Sequence, residues 1–167
     1  MKRFNTTGTC YPYKHYMVDL KERVREIRKM VDQGDYFCIN RGRQFGKTTT
    51  LNTLKDALQD DYTVFSISFE SIGDETFEKE ELLAKAFLNQ LNENIDFGLV
   101  SNASEKFTSL LSEILAQSSE GFSLNNLRKV IVNLCRANEK PIVILIDEVD
   151  QAGNYVSFLK FLGILRD

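Results

Sequence analysis

The chain has few of the residues that build metal and disulfide sites. Its 167 residues include three cysteines, Cys10, Cys38 and Cys135, and a single histidine, His15. The cysteines are odd in number and lack Cys-x-x-Cys spacing, and only one histidine could help them to bind a metal. We therefore expect Cys38 and Cys135 to be small core residues, Cys10 to be an unassigned loop thiol, and no metal other than nucleotide-bound Mg²⁺.

Long apolar runs and an excess of positive charge are also lacking. No apolar run approaches the roughly 20 residues that cross a bilayer, and the basic N-terminal segment MKRFNTTG has no apolar core of a signal peptide. The 21 basic and 24 acidic residues give a net charge of −3, so no global field attracts nucleic acid or an anionic membrane. We expect a cytoplasmic protein without membrane contact, and we do not expect this segment to contact nucleic acid directly.

Among the residues that are present, the string RGRQFGKTTT, from Arg41 to Thr50, is the most informative. A phosphate-binding loop needs small residues whose N–H groups surround phosphate oxygens, a lysine for the outer phosphates and a hydroxyl for Mg²⁺. Gly46, Lys47 and Thr48 are of these types. The match is imperfect, because the first glycine of the usual pattern is replaced by Arg41 and a glycine follows one position later.

A second motif lies far downstream, where five consecutive aliphatic residues, Ile142 to Ile146, are followed by Asp147 and Glu148. Such a run predicts a strand buried on both faces of a parallel sheet, and acids at its carboxyl end face the ligand crevice of an open α/β sheet. Asp147 would then hold Mg²⁺ and Glu148 would polarise an attacking water. The alternative is a core strand with a solvated acidic end.

Hydrophobic periodicity predicts an α/β fold with right-handed crossovers, in one domain over residues 16–167 that follows an irregular arm over 1–15. The first predicted elements are a helix between an N-cap at Asp19 and a stop at Gly34, a strand Tyr36–Asn40, a helix after Lys47 and an edge strand Tyr62–Phe69. Three helices follow, with a surface connection Asn92–Asn102 after the first of them. The last elements are the strand ending at Ile146 and a helix with Phe158 and Leu159 among its core positions.

With both motifs and the segments Phe4–Gly8 and His15–Asp19, the chain resembles the bacterial AAA-ATPase-like proteins, a branch of the P-loop NTPases. The resemblance covers nearly the whole chain. It implies a three-layer αβα fold with a mainly parallel sheet, ATP and Mg²⁺ as ligands, and a C-terminal nuclease-like domain of the PD-(D/E)XK type in the full-length protein.

The resemblance also assigns roles to residues. It implies that the phosphate loop, or Walker A motif, contacts the nucleotide through Arg41, Gly42, Arg43, Gln44, Phe45, Gly46, Lys47, Thr48 and Thr49. Arg41 and Arg43 could instead be merely solvated. The resemblance places Tyr16, Met17 and Val18 in an adenine pocket, with ordinary packing at a helix entrance as the alternative.

The strand that ends in acids corresponds to a Walker B motif. Glu148 and Lys47 would be the catalytic residues, and Thr48 and Asp147 the Mg²⁺ ligands. Asp150 would be a helix cap or a supporting partner.

In this class of ATPase, a sensor strand and an arginine finger follow the acidic strand, and the sequence ends at Asp167 before either. We therefore expect a fold truncated after the Walker B strand and the following helix, and little activity from this segment alone. The first functional hypothesis is Mg²⁺-dependent ATP hydrolysis by the full-length protein. A nucleotide-controlled switch or interaction module with little turnover is the alternative, and an ATPase that acts on DNA through the nuclease-like domain is a third hypothesis.

Overall fold

A computed structural model describes residues 3, 13–16, 19–40, 46–70, 72–117, 122–149 and 152–166. The chain divides into two compact units, Met1–Asp60 and Asp61–Asp167. The described residues form seven helices and two strands. None of the helices in these ranges combines the length and the apolar character that crossing a bilayer requires.

In the first unit, two helices pack together through apolar side chains. Helix α1 spans Lys21–Asp32 and buries Val24 and Ile27, and helix α2 spans Lys47–Leu58 and buries Leu54 and Leu58. Arg28 on α1 donates a hydrogen bond of 2.7 Å to the carbonyl oxygen of Ala57. A cation at the C-terminal end of a helix stabilises it, because the last carbonyl groups have no partner within the helix.

The two ends of α1 follow the sequence prediction closely. The carboxylate of Asp19 accepts a hydrogen bond of 2.9 Å from the Lys21 amide, although Leu20 occupies the N-cap position itself. At the other end, Gly34 has a φ of 74° and donates its amide to the Val31 carbonyl. Glycine adopts this left-handed conformation without a steric penalty, so the predicted stop is confirmed.

The predicted strand Tyr36–Asn40 is not formed in the described part of the chain, where this segment is irregular. Its side chains nevertheless alternate, with Tyr36 and Cys38 exposed and Phe37 and Ile39 half-buried. Alternation reports which side chains face the core, whereas a strand also needs a hydrogen-bonded neighbour, which local sequence does not specify. The expectation that Cys38 is a core residue was therefore wrong.

The second unit contains a parallel pair of strands. Strand β1, Thr63–Ser68, pairs with strand β2, Ile142–Asp147, in a register that places Thr63 beside Ile142 and Ser68 beside Asp147. The helices of this unit are α3 (Asp74–Glu78), α4 (Glu80–Asp96), α5 (Glu105–Gln117), α6 (Leu124–Ala137) and α7 (Val156–Arg166). The predicted α/β class is confirmed, with a small parallel sheet of two strands in the described residues.

Burial of the two strands is the reverse of the prediction. β2 was expected to be buried on both faces, but Leu145 is its only fully buried residue, and the others are half-buried. β1 was expected to alternate, yet its first three residues, Thr63, Val64 and Phe65, are all buried. In the same region, side chains of α4 contact the outer edge of β1, and β2 has a strand neighbour on one side only among the described residues.

Aromatic side chains form the centre of the core of this unit. The Phe69 ring lies 5.7, 5.1 and 6.1 Å from the rings of Phe77, Phe158 and Phe161, in edge-to-face geometry. Ser157 on α7 donates its hydroxyl to the Phe77 carbonyl. Leu159, predicted as a core position, is instead 56% exposed. Helix α7 is apolar on nearly every side, so its sequence alone does not specify which stripe faces the core.

The predicted surface connection Asn92–Asn102 begins too early, because α4 continues to Asp96 and Asn94 is buried. The prediction rested on the mixture of polar residues and Gly98 in this segment, which does not show where the helix before it ends. Phe97 and Leu99, in the turn after α4, are 75% and 52% exposed. On α6, Cys135 is also exposed, so the core assignment was wrong for this cysteine as well.

A buried polar cluster joins the amino-terminal end of the sheet to the loops around it. Asn138 donates hydrogen bonds of 2.8 Å to the Thr63 hydroxyl and 2.7 Å to the Lys140 carbonyl, and its side-chain oxygen accepts one of 3.0 Å from the Ser104 amide. The Thr63 hydroxyl in turn donates to the carbonyl of Asn102. Because every polar atom of the Asn138 side chain has a partner, burying this amide does not carry the usual cost of desolvation.

Candidate nucleotide-binding site

In the first unit, the candidate site is built on the start of α2. Gly46 occupies the N-cap position of α2 with a φ of 74°, which is a left-handed conformation, and Lys47 is the first helical residue. Glycine adopts this conformation without strain, and it has no side chain that would obstruct a ligand at the N-terminal end of the helix. The local sequence therefore explains why a helix begins at this point.

The first turn of α2 has the features of an anion-binding helix end. No side chain caps it among the described residues, and it contains no acidic residue. Its leading N–H groups have no partner within the helix, and the helix dipole makes this end positive. Lys47 is half-buried and Thr48 is exposed at the same end.

Thr50, in the same turn, has a structural role. Its side chain is 1% exposed, and its hydroxyl donates a hydrogen bond of 2.8 Å to the Gly46 carbonyl. Its amide donates to the same oxygen at 2.9 Å. The hydroxyl of Thr53 makes the equivalent bond to the carbonyl of Thr49. Of the three threonines in the first turn of α2, Thr48 is exposed, Thr49 is half-buried and Thr50 is buried. Thr48 is therefore the one whose side chain is exposed at this helix end.

Most other nucleotide-contact residues predicted for this unit lie outside the described residues. This applies to the loop residues Arg41, Gly42, Arg43, Gln44 and Phe45, and to Met17 and Val18. Tyr16 is 52% exposed, and its amide donates to the Arg3 carbonyl in an isolated parallel bridge between Arg3 and His15. Its role in an adenine pocket stays a prediction.

In the second unit, the candidate residues lie at the carboxyl end of β2. Asp147 is the last residue of the strand, and its carbonyl oxygen accepts a hydrogen bond of 3.4 Å from the Phe69 amide. Its carboxylate accepts one of 3.0 Å from the amide of Glu148. Pairing with β1 therefore fixes the backbone of Asp147, and the following amide restrains its side chain. Asp150 lies outside the described residues.

Glu148 has an unusual backbone, with a φ of 55° in the left-handed region. A residue with a Cβ atom pays a steric penalty there, and such residues are frequent at functional sites, where the surrounding structure holds them in place. The half-buried Glu148 side chain follows directly after the strand. No pattern in the sequence indicated this conformation, because isolated glutamates have no preference for it.

The predicted site residues are thus divided between the two units. Lys47 and Thr48 belong to the first, and Asp147 and Glu148 belong to the second. Within the described ranges, no three His, Cys, Asp or Glu side chains come together to form a metal site. A hydroxyl and a carboxylate are hard oxygen donors that suit Mg²⁺, which takes few protein ligands when it is bound with nucleotide phosphates. The hydroxyl of Thr48 and the carboxylate of Asp147 are each a donor of the type that suits Mg²⁺.

The fold and these two motifs define an α/β protein with a candidate phosphate-binding helix start. The family described as Predicted AAA-ATPase matches residues 14–156 of this chain. That match covers well over half of the sequence, and the chain belongs to this family. No curated protein and no solved structure matches it.

Proposed function

We propose that the chain binds ATP together with Mg²⁺, and that the full-length protein hydrolyses the bond between the β- and γ-phosphates. The observation that carries this proposal is the start of α2, where Gly46 has a φ of 74° and the first helical turn presents Lys47 and Thr48 without any acidic residue. Membership of a family described as Predicted AAA-ATPase supports the same function.

Lys47 and the leading amides of α2 would bind the phosphates. The lysine supplies a point charge and the amides supply fixed dipoles, and both favour negative charge that develops on the transferred phosphoryl group. Thr48 would ligate Mg²⁺ through its hydroxyl. When bound, Mg²⁺ neutralises charge on the phosphate oxygens.

Asp147 and Glu148, at the end of β2, would supply the acidic residues that ATP hydrolysis needs. The Asp147 carboxylate, restrained by the Glu148 amide at 3.0 Å, suits a ligand to Mg²⁺ either directly or through water. The Glu148 carboxylate would accept a hydrogen bond from the attacking water and orient it.

The fold that we propose for this function is the three-layer αβα P-loop NTPase architecture, with the loop from Arg41 to Thr48 as Walker A and the strand Ile142–Asp147 as Walker B. The parallel pairing of β1 and β2 supports it, as does the position of two acids at the end of β2. A nuclease-like C-terminal partner domain and a cytoplasmic location belong to the same proposal.

Nucleotide binding is tested by thermal unfolding with and without ATP and Mg²⁺. A ligand at about 100 times its Kd stabilises the native state by about 2.7 kcal/mol, which for a chain of this size raises Tm by roughly 5 to 11 °C. The variant Lys47→Ala should lose most of this shift. Lys106→Ala is the matched control, because it removes an exposed lysine on α5 in the second unit. Equal ATP affinity of wild type and Lys47→Ala by titration calorimetry would remove the phosphate-loop assignment.

Turnover is tested separately in the full-length protein. Glu148→Gln preserves the shape of the side chain and removes its basic carboxylate, so ATP should still bind while phosphate release falls by at least about 100-fold. Wild-type protein that binds ATP and releases no phosphate would instead indicate the nucleotide-controlled switch. Phosphate release that rises severalfold on adding double-stranded DNA would support the DNA-acting ATPase.

A further inference from the structure

The hydrogen-bonding directions of β1 separate its two edges. Thr63 donates its amide to the Pro141 carbonyl at 2.9 Å, and Phe69 donates to the Asp147 carbonyl at 3.4 Å. Successive residues of a strand direct their N–H groups to opposite edges. Odd-numbered amides of β1 therefore face β2, and the even-numbered amides, which include those of Ser66 and Ser68, face the outer edge.

Helix α4 supplies acceptors for these two outer amides. The side-chain oxygen of Asn94 accepts a hydrogen bond of 3.2 Å from Ser66 N–H, and that of Gln90 accepts one of 2.9 Å from Ser68 N–H. Four residues of helix rise about 6 Å, and two residues of strand rise about 6.6 Å. One turn of α4 therefore matches the spacing of alternate amides on β1, with the helix and the strand running in opposite directions.

We propose that Gln90 and Asn94 form an edge cap, a pair of side-chain acceptors that occupies the outer amides of Ser66 and Ser68 and blocks a further strand from pairing with this end of β1. A strand added at this edge would need the amides of Ser66 and Ser68 as donors, and both are already bonded. Exposed strand edges promote wrong pairing and aggregation, and covering them with a helix is one way in which proteins prevent it. The edge cap thus directs any extension of this sheet to β2.

The two members of the edge cap differ in how they are held. Asn94 is 6% exposed, and its side-chain nitrogen also donates to the Gln90 carbonyl at 2.9 Å. The side-chain nitrogen of Gln90 is buried and has no acceptor among the described residues. Gln90 therefore contributes through its oxygen alone. A glutamate at position 90 should keep the function, because its carboxylate accepts the same hydrogen bond and no donated bond is lost.

The experiment is amide hydrogen exchange of the 167-residue chain, followed residue by residue by NMR. Loss of one hydrogen bond worth about 0.5 to 1.5 kcal/mol corresponds to about 2- to 12-fold faster exchange of the freed amide. Gln90→Met should accelerate Ser68 by this factor, and Asn94→Leu should accelerate Ser66. The amide of Ile67, which faces β2, is the internal reference for any general loss of stability.

Two further variants make the result decisive. Asn89→Leu replaces an exposed amide on the same helix and should leave the exchange of both serine amides unchanged. Gln90→Glu should keep the protection of Ser68 at its wild-type value relative to Ile67. The measured quantity is the exchange rate of the Ser68 amide divided by that of the Ile67 amide. The proposal is overturned if Gln90→Met changes this ratio no more than Asn89→Leu does. It is also overturned if Gln90→Glu accelerates the exchange of Ser68 as much as Gln90→Met does.

Discussion

The left-handed backbone of Glu148 predicts that a candidate catalytic residue reduces the stability of the protein. With a φ of 55°, Glu148 has a conformation that costs a residue with a Cβ atom about 1 to 2 kcal/mol. Glycine avoids this penalty but loses more backbone freedom on folding. This entropy loss reduces the gain in the free energy of unfolding by roughly 0.4 to 1 kcal/mol. We therefore expect Glu148→Gly to be more stable than Glu148→Ala by about 1 kcal/mol.

The comparison with Glu148→Ala isolates the backbone, because both variants lose the carboxylate and only alanine keeps the strain. Asn102→Gly is the matched control. Asn102 also has a positive φ, of 71°, but asparagine tolerates this region better than glutamate, so its gain should be smaller. Both Glu148 variants should lose turnover under the proposed function, whereas the stability difference does not depend on that proposal.

The assay is urea unfolding followed by far-UV circular dichroism. With an m-value of about 1 to 3 kcal/mol/M, a gain of about 1 kcal/mol raises the unfolding midpoint by about 0.3 to 1 M. A Glu148→Gly midpoint at or below that of Glu148→Ala, with equal m-values, would show that the backbone at this position stores no strain.

Two further predictions concern the core of the second unit. Asn138→Ala should lower the free energy of unfolding by about 2 to 4 kcal/mol, because it removes the buried hydrogen bond to the Thr63 hydroxyl and leaves the half-buried amide of Ser104 without this acceptor. A loss below about 0.5 kcal/mol in urea unfolding would contradict this. Phe161→Ala should lower the free energy of unfolding by about 3 to 5 kcal/mol, because this ring is buried. Leu159→Ala should change it by no more than about 0.5 kcal/mol, because the Leu159 side chain is 56% exposed. Similar losses from the two variants would contradict the orientation of α7.

Local features were predictable where the sequence carries its own stereochemical signal. Gly34 and Gly46 both have a φ of 74°, one after the end of α1 and one at the start of α2, as a glycine at a helix end indicates. The helix after Lys47 was also predicted from residue pattern, as was the strand with a predicted end at Ile146, which continues for one more residue to Asp147. These features depend on a few neighbouring residues, so no knowledge of distant contacts was needed.

Other predictions were wrong because the features that they concern depend on distant residues. Tyr36–Asn40 has strand-like alternation and no ladder partner in the described structure. Asn94 was predicted to lie in a surface connection, but it is buried, and its side chain accepts a hydrogen bond from the amide of Ser66, far away in sequence. The exposure of Leu159 follows from the packing of Phe158 and Phe161 against Phe69, which the apolar pattern of α7 does not specify.

The sequence by itself therefore determined the family, the α/β class and the identity of the candidate site residues, because each of these depends on residue types at fixed spacing. Tertiary structure decided which strand edge is covered and which helix face is buried, and it also set the left-handed backbone of Glu148. Those outcomes depend on hydrogen bonds and packing between segments far apart in the chain, and a local pattern is compatible with more than one such arrangement.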